Sequence, residues 1–358
     1  MCGLYCLGLN ELAGNTNSND IWKYSREGMF YNVTPRGVRC MICPNECDLR
    51  PGEISDCNNR INSEGKLYSI AYGNPCAVHI DPIEKKPLLH FYPSTHVFSI
   101  ATAGCNFICL NCQNWEISQT SPHKTKNYDL FPKDVVESCI ENKCPSVAYT
   151  YSEPVSFYEY MFDTSKIAHE RGIMNVLVSN GYINEAPLRK LAPFLDAANI
   201  DLKSFSDDIY LRLNAGKLQP VLNTLKILKD MGVWLEITNL IVPSWTDDLD
   251  MIKQMCDWLV ANGFSNYPLH FSRFHPTFKL TQLPETPLQV LINARNTAIK
   301  AGCNYVYIGN VPGKNFENTY CPKCKSLVVE RRGFVIVSNH MKNGKCESCG
   351  TTIDGRWN

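Results

Sequence analysis

The chain has no excess of charge of either sign: 35 Lys and Arg are matched by 35 Asp and Glu. That balance removes the electrostatic case for nucleic acid, a membrane surface or an acidic substrate as partner. It also has no apolar run long enough to span a bilayer. The opening Met1-Cys2-Gly3-Leu4-Tyr5-Cys6 shows neither the charged segment nor the long apolar stretch of a secretory leader. No internal repeat or low-complexity tract stands out. These absences favour a reducing, cytoplasmic setting. There the 18 cysteines read as metal ligands rather than a disulfide framework. Cys2 and Cys6 receive no role.

At 358 residues the chain is long enough for one large core with appendages. Four parts are expected: an extension over 1–35, a Cys-rich module over 36–92, a core over 93–315 and a small Cys-containing module over 316–358. In the core, strand-like runs at 97–102, 147–151, 174–179, 197–202, 233–242, 269–274 and 305–308 alternate with helix-like runs at 133–142, 155–171, 185–192, 218–231, 247–262 and 286–301. Alternation of this kind predicts an α/β fold with a parallel sheet and right-handed crossovers, curled into a partial TIM-like (β/α) barrel; doubly wound packing is the rival.

Cys105, Cys109 and Cys112 follow the first predicted strand of that core in a C-x3-C-x2-C run. Three thiolates on one tight loop can hold three irons of a 4Fe-4S cubane and leave the fourth iron open. The spacing resembles the signature of the radical SAM superfamily, in which S-adenosylmethionine (SAM) takes the open iron. A zinc knuckle with a borrowed ligand is the competing reading.

Other polar residues fall where predicted strands end. Glu153 is placed to accept from the SAM ammonium, although an acid opening a helix needs no further purpose. Ser179-Asn180-Gly181 ends the next strand. Asp201 and Lys203 then point the same way, as a ligand pair or a salt bridge. Glu236, inside an apolar strand, needs a partner, either SAM polar atoms or Lys203. His275 sits at another strand end, as ligand or hydrogen-bonded bystander. Gly309-Asn310 would let a flat adenine approach the backbone, or simply make a turn.

Two further cysteine sets flank the core. Cys321-x2-Cys324 and Cys346-x2-Cys349 match the paired knuckles of a zinc ribbon, with rubredoxin-type iron an alternative. Cys40, Cys43, Cys47 and Cys57 suit either zinc or an auxiliary cluster. One or two structural zinc ions are thus expected. Cys76, Cys139, Cys144, Cys256 and Cys303 read as buried small hydrophobes.

Taken together, the segments Asp81 through Pro87 with His90-Phe91, Cys105 through Trp115, Tyr149 through Pro154, Ser179-Asn180-Gly181, Asp201-Leu202-Lys203 and Gly309-Asn310 resemble radical SAM enzymes related to the pyruvate formate-lyase activating enzyme. They look closest to the branch called the AmmeMemoRadiSam system radical SAM enzyme. The resemblance implies that Cys105, Cys109 and Cys112 bind the cluster and that Glu153 meets the SAM amino group. It also implies that Ser179, Asp201, Lys203 and His275 line the SAM methionine and ribose. Two positions depart from it: Val178 replaces an acid that helps bind a monovalent cation, and Asn111 replaces the aromatic residue that contacts adenine. By the same resemblance, the expected activity is oxygen-sensitive reductive cleavage of SAM to a 5′-deoxyadenosyl radical, fed by an external donor such as flavodoxin or ferredoxin. The radical would abstract hydrogen from a protein backbone, as in glycyl-radical activation, or from a small molecule or another macromolecule. A non-catalytic interaction protein stapled by zinc at all three cysteine sets is the contrasting class.

Overall fold

A computed structural model describes residues 23–311, 313 and 315–357; Cys2, Cys6 and most of the expected extension lie outside the described residues. Its centre is one eight-stranded sheet, β1 (Ala77–Pro82), β2 (His96–Ala101), β3 (Ser146–Tyr149), β4 (Met174–Ser179), β5 (Ala197–Asp201), β6 (Trp234–Ile241), β7 (Leu269–Arg273) and β8 (Val306–Gly309). The strands lie side by side in chain order. β1 runs antiparallel to β2 and every later neighbour is parallel. β8 and β1 are not paired, so the sheet is open, an α/β fold without a closed barrel.

The crossovers are α1 (Pro132–Glu141), α2 (Tyr158–Glu170), α3 (Glu185–Leu191), α4 (Leu218–Asp230), α5 (Leu249–Ala261) and α6 (Leu288–Ala301). Their ends follow local chemistry. α1 opens on a proline, whose missing N–H costs nothing there, and the Asp134 carboxylate accepts from Phe131 N at 3.1 Å. Asp248 caps α5 by accepting from Asp250 N and Met251 N. α6 stops at Gly302, whose φ of 109° suits glycine. The expected helix over 155–171 is two pieces, a 3₁₀ turn Pro154–Phe157 followed by α2.

A parallel sheet covered on its faces needs apolar residues on both sides of each strand, and β3, β5 and β6 are buried almost throughout. Because the strands from β2 onward are parallel, their C-terminal ends share one edge. The strand ends and loops at that edge carry the polar residues singled out above, except Glu236.

The segment before β1 forms small antiparallel sheets, Tyr31–Thr34 with Gly37–Cys40 and Asp48–Leu49, and Arg26–Glu27 with Lys66–Ser69 and Arg60–Ser63. After β8 a second small unit contains Thr319–Tyr320, Leu327–Arg332 and Val335–Asn339.

Candidate functional site

The loop after β2 is held from several directions. Gly104 turns it with φ +96°, and a Cβ there would lie 2.3 Å from the Cys57 carbonyl oxygen, so only glycine fits. A π-helical turn, Tyr210–Asn214, supplies two backbone acceptors: Ile108 N donates to Asn214 O at 3.0 Å and Leu110 N to Leu213 O at 2.9 Å. Gly216 leaves room for Phe107, whose ring would lie 2.4 Å from a Cβ.

The thiols of this loop meet N–H donors rather than acceptors. Asn214 Nδ2 donates to Cys109 Sγ at 3.1 Å and Phe107 N to Cys105 Sγ at 3.4 Å. Such donors stabilise thiolates and tune bound iron. Burial pushes all three thiols up, Cys109 to about 11, so loading a metal releases protons. Asn111 Oδ1 and Asn214 Oδ1 are buried without a partner, as polar atoms awaiting a ligand are.

Glu153 ends the loop after β3 and is 3 % exposed. Its Oε1 accepts from Ser179 Oγ at 2.7 Å and Val155 N at 3.0 Å, and its Oε2 from Asn180 N at 2.8 Å. Burial raises its pKa to about 7, against the pull of those donors and Lys203. Asn180 Nδ2 donates to Asn106 Oδ1 at 2.8 Å, which ties the end of β4 to the cysteine loop. Lys203 Nζ pairs with Asp201 at 2.7 Å. The Lys203 charge acts on Cys109, Cys112 and Glu153, and the Glu153 charge on Cys105. One neighbourhood therefore holds Cys105, Cys109, Cys112, Glu153, Ser179, Asn180, Asp201 and Lys203.

Three expectations go elsewhere. Glu236 meets neither Lys203 nor the loop: it lies near the N-terminal end of β6, away from the cysteines, and is fully buried. Its oxygens accept from His90 N at 2.7 Å, Leu89 N at 3.0 Å and His270 Nε2 at 2.6 Å. Burial pushes this carboxyl up, but His270 and His90 outweigh it and hold it low. With its acceptor sites filled by the chain itself, Glu236 is a structural anchor. His275 stands at the right edge but is half-exposed and bonded to Glu285 at 2.7 Å. Asn310 adopts φ 61° and donates to Arg273 O at 3.3 Å, which makes Gly309-Asn310 a turn tied to β7.

Asn106 and Asn214 were missed from the sequence. Asn106 lies in a loop and Asn214 ends a short π-helical turn, neither with a periodicity to mark it; the turn-forming Ala215-Gly216 after Asn214 is the one available hint.

Among the described residues, the group of Cys, His, Asp or Glu whose ligand atoms all lie within 4.8 Å of one another is Cys321, Cys324, Cys346 and Cys349. Cys321 and Cys349 sulfurs are 3.6 Å apart and those of Cys324 and Cys346 3.7 Å. A tetrahedral ion with metal–sulfur bonds of about 2.3 Å has edges of about 3.8 Å, so the set fits a single ion. Of the five unpaired thiols, Cys139, Cys144, Cys256 and Cys303 are buried, whereas Cys76 is half-exposed.

The sequence profile of the Radical SAM superfamily matches residues 99–259. An uncharacterised protein of Methanocaldococcus jannaschii is 48 % identical over 92 % of this chain and 99 % of its own length. The pyruvate formate-lyase 1-activating enzyme of Escherichia coli is 26 % identical over 42 % of this chain, an alignment spanning 63 % of that enzyme. Among solved structures, Streptococcus suis SuiB bound to S-adenosylmethionine aligns over 64 % of this chain and 53 % of that one, with 12 % identity and a TM-score of 0.48, a likeness that carries no functional argument. Residues 99–259 thus form a domain of the radical SAM superfamily, with homology to pyruvate formate-lyase activating enzymes. The chain is therefore an enzyme, and the domain implies a 4Fe-4S cluster and SAM. Among the described residues no helix is long and apolar enough to cross a membrane.

Proposed function

We propose that Cys105, Cys109 and Cys112 hold a 4Fe-4S cluster with one open iron, and that the enclosed neighbourhood around it binds SAM. When bound, the cluster supplies one electron to the SAM sulfonium and so yields a 5′-deoxyadenosyl radical. The chain's own residues bind and orient. Glu153, already accepting three hydrogen bonds, keeps lone pairs for the SAM ammonium. Lys203, held by Asp201, offers a positive charge to the sulfur-rich, anionic side of the site. Asp201 keeps one carboxylate oxygen for a ribose hydroxyl. Ser179 and Asn180 fix the Glu153 carboxylate and the cysteine loop in one frame.

The observation that carries the reading is the hydrogen-bonded chain from Ser179 and Asn180 through Glu153 and Asn106 to the cysteine loop. The ends of β3 and β4 and the cysteine loop are tied together there by buried polar groups. The contrasting class, a zinc-stapled interaction protein, leaves this buried acid only its role as a helix cap.

For the substrate we infer a protein backbone, because the activating enzyme that this chain is similar to acts on pyruvate formate-lyase; the finer placement in the AmmeMemoRadiSam branch rests on the segments quoted above. A donor of the flavodoxin or ferredoxin class would supply the electron. We further assign zinc to Cys321, Cys324, Cys346 and Cys349, on the tetrahedral spacing of their sulfurs, and the four-part division of the chain to the cysteine sets that flank the sheet.

Anaerobically reconstituted, dithionite-reduced protein is expected to release methionine and 5′-deoxyadenosine from SAM, and Cys105→Ala to release none. Equal product from both proteins, or none from either despite an intact cluster, sinks the reading. A glycyl-radical EPR signal on a partner protein supports the protein substrate; deuterium transferred from a small molecule into 5′-deoxyadenosine replaces it.

A further inference from the structure

Cys40, Cys43, Cys47 and Cys57 line one pocket. Arg60 and Asn106 share its wall. Cys40 ends a strand, Cys43 and Cys47 lie on the following loop, and Cys57 precedes Arg60 on the next. Four thiols from three places in the chain thus converge on one hollow.

Donors face these sulfurs from several sides, with one acceptor among them: Cys47 Sγ donates to Asp56 Oδ2 at 3.5 Å. Backbone N–H groups of Ile42, Asn45 and Asp56 point at Cys40, Cys43 and Cys47, and Ser55 Oγ lies 3.1 Å from Cys57 Sγ. The Arg60 side chain is 2 % exposed. One of its nitrogens bonds Glu159 at 2.9 Å, while Nη2 is buried with no partner. The Arg60 charge is balanced by Glu159, but the unpaired Nη2 beside four thiols leaves a donor for an acceptor such as sulfur.

Spacing decides what that occupant is. A single tetrahedral ion draws its thiolates to about 3.8 Å of one another, as at Cys321, Cys324, Cys346 and Cys349. The cavity set does not close in this way: among the described residues, only the C-terminal set has its ligand atoms all within 4.8 Å. A polynuclear cluster places each thiolate on a different iron at an outer corner. It therefore holds its thiolates farther apart than a single ion does, in keeping with a set that does not close to within 4.8 Å.

We propose that Cys40, Cys43, Cys47 and Cys57 hold a second, fully cysteine-ligated iron–sulfur cluster in this cavity, against Asn106 of the Cys105–Cys112 loop. The two loops also touch directly: Asn45 Nδ2 donates to Asn106 O at 2.9 Å, and Gly104 packs on the Cys57 carbonyl. With four protein ligands this cluster has no open iron and binds no SAM.

The test counts iron, acid-labile sulfide and zinc in full-length protein purified and reconstituted without oxygen. Wild type is expected to carry about eight irons and eight sulfides. Cys105→Ala/Cys109→Ala/Cys112→Ala should keep about half of each, and Cys43→Ala/Cys57→Ala should lose the other half. Should the latter variant fail to fold, the triple variant decides alone, because it leaves the cavity untouched. A triple variant without labile sulfide, or with two zinc ions per chain, overturns the proposal. If instead the proposed SAM site fails, wild type holds about four irons and the cavity variant none, so the two failures are distinguishable.

Discussion

A buried carboxylate with three donors and no counter-charge in hydrogen-bond contact is a costly thing to keep, and Glu153 is such a group. Its raised pKa, about 7 from burial, states that cost. A cationic ligand would remove it. Glu153→Gln keeps the shape but removes the charge and turns one acceptor oxygen into a donor, so it is expected to weaken SAM binding by about 10- to 100-fold. Iron content should be unchanged, and anaerobic calorimetry beside an iron assay checks both. Unchanged affinity would make Glu153 a helix cap and nothing more. Glu153 was legible in the sequence because an acid at a strand end, before a proline, stands out against an apolar run. Asn106 and Asn214 were not, since an asparagine in a loop is ordinary turn chemistry until the fold sets it beside a cysteine. Glu236 misled for a related reason: the sequence demands a partner for a buried acid but does not say from which end of the strand it comes.

The strands and helices of the sheet were nearly all readable from periodicity, with boundaries displaced by a residue or two, because each strand is buried and each helix presents one apolar face. β1 was not readable as a strand; it is an antiparallel edge lying between cysteine-rich and apolar text. The segment after it, Leu88–Phe91, is where element-scale energetics concentrate. Glu236 accepts from its backbone. His90 donates from Nδ1 to Asp354 O at 2.6 Å and accepts at Nε2 from the Tyr307 hydroxyl. Burial lowers the His90 pKa to about 4, although Glu236 pulls it upward. The folded imidazole therefore stays neutral where the unfolded one, near 6.5, takes a proton. Protons then bind the unfolded state preferentially between these values, so stability falls as pH drops from about 6.5 toward 4, by roughly 3 kcal/mol. The low Glu236 carboxyl acts in the same direction: its contribution is present above the ordinary carboxylate range and is lost below it. Urea unfolding of wild type and His90→Gln at pH 7.5, 6 and 5 checks this. The variant should be less stable at pH 7.5 but flatter across the series, and parallel curves would refute the assignment.

At the scale of the whole molecule, the C-terminal end of the described chain meets the Leu88–Phe91 segment rather than the proposed SAM site. Arg331, buried in the C-terminal unit, donates to Leu89 O at 2.8 Å and to Thr319 Oγ1 at 2.7 Å. Arg356 N donates to His90 O at 2.7 Å, and the Trp357 ring packs 4.9 Å from the His90 ring. The four-cysteine unit is thus fastened to the same Leu88–Phe91 segment that Glu236 anchors. A unit of this size has little core of its own, and its metal contributes folding energy directly. Removing the metal should loosen Trp357, then the segment, while the cysteine loop at the opposite edge keeps its iron. Cys324→Ser and Cys349→Ser each leave a three-thiolate site and are expected to lower the melting temperature by several degrees. Faster amide exchange at Leu89 and His90 and altered Trp fluorescence should accompany the loss, with SAM cleavage at 25 °C within twofold of wild type. Loss of cleavage in step with loss of metal, in protein whose loop cluster is intact, would mean that the C-terminal unit reaches the site by a route that these contacts do not contain.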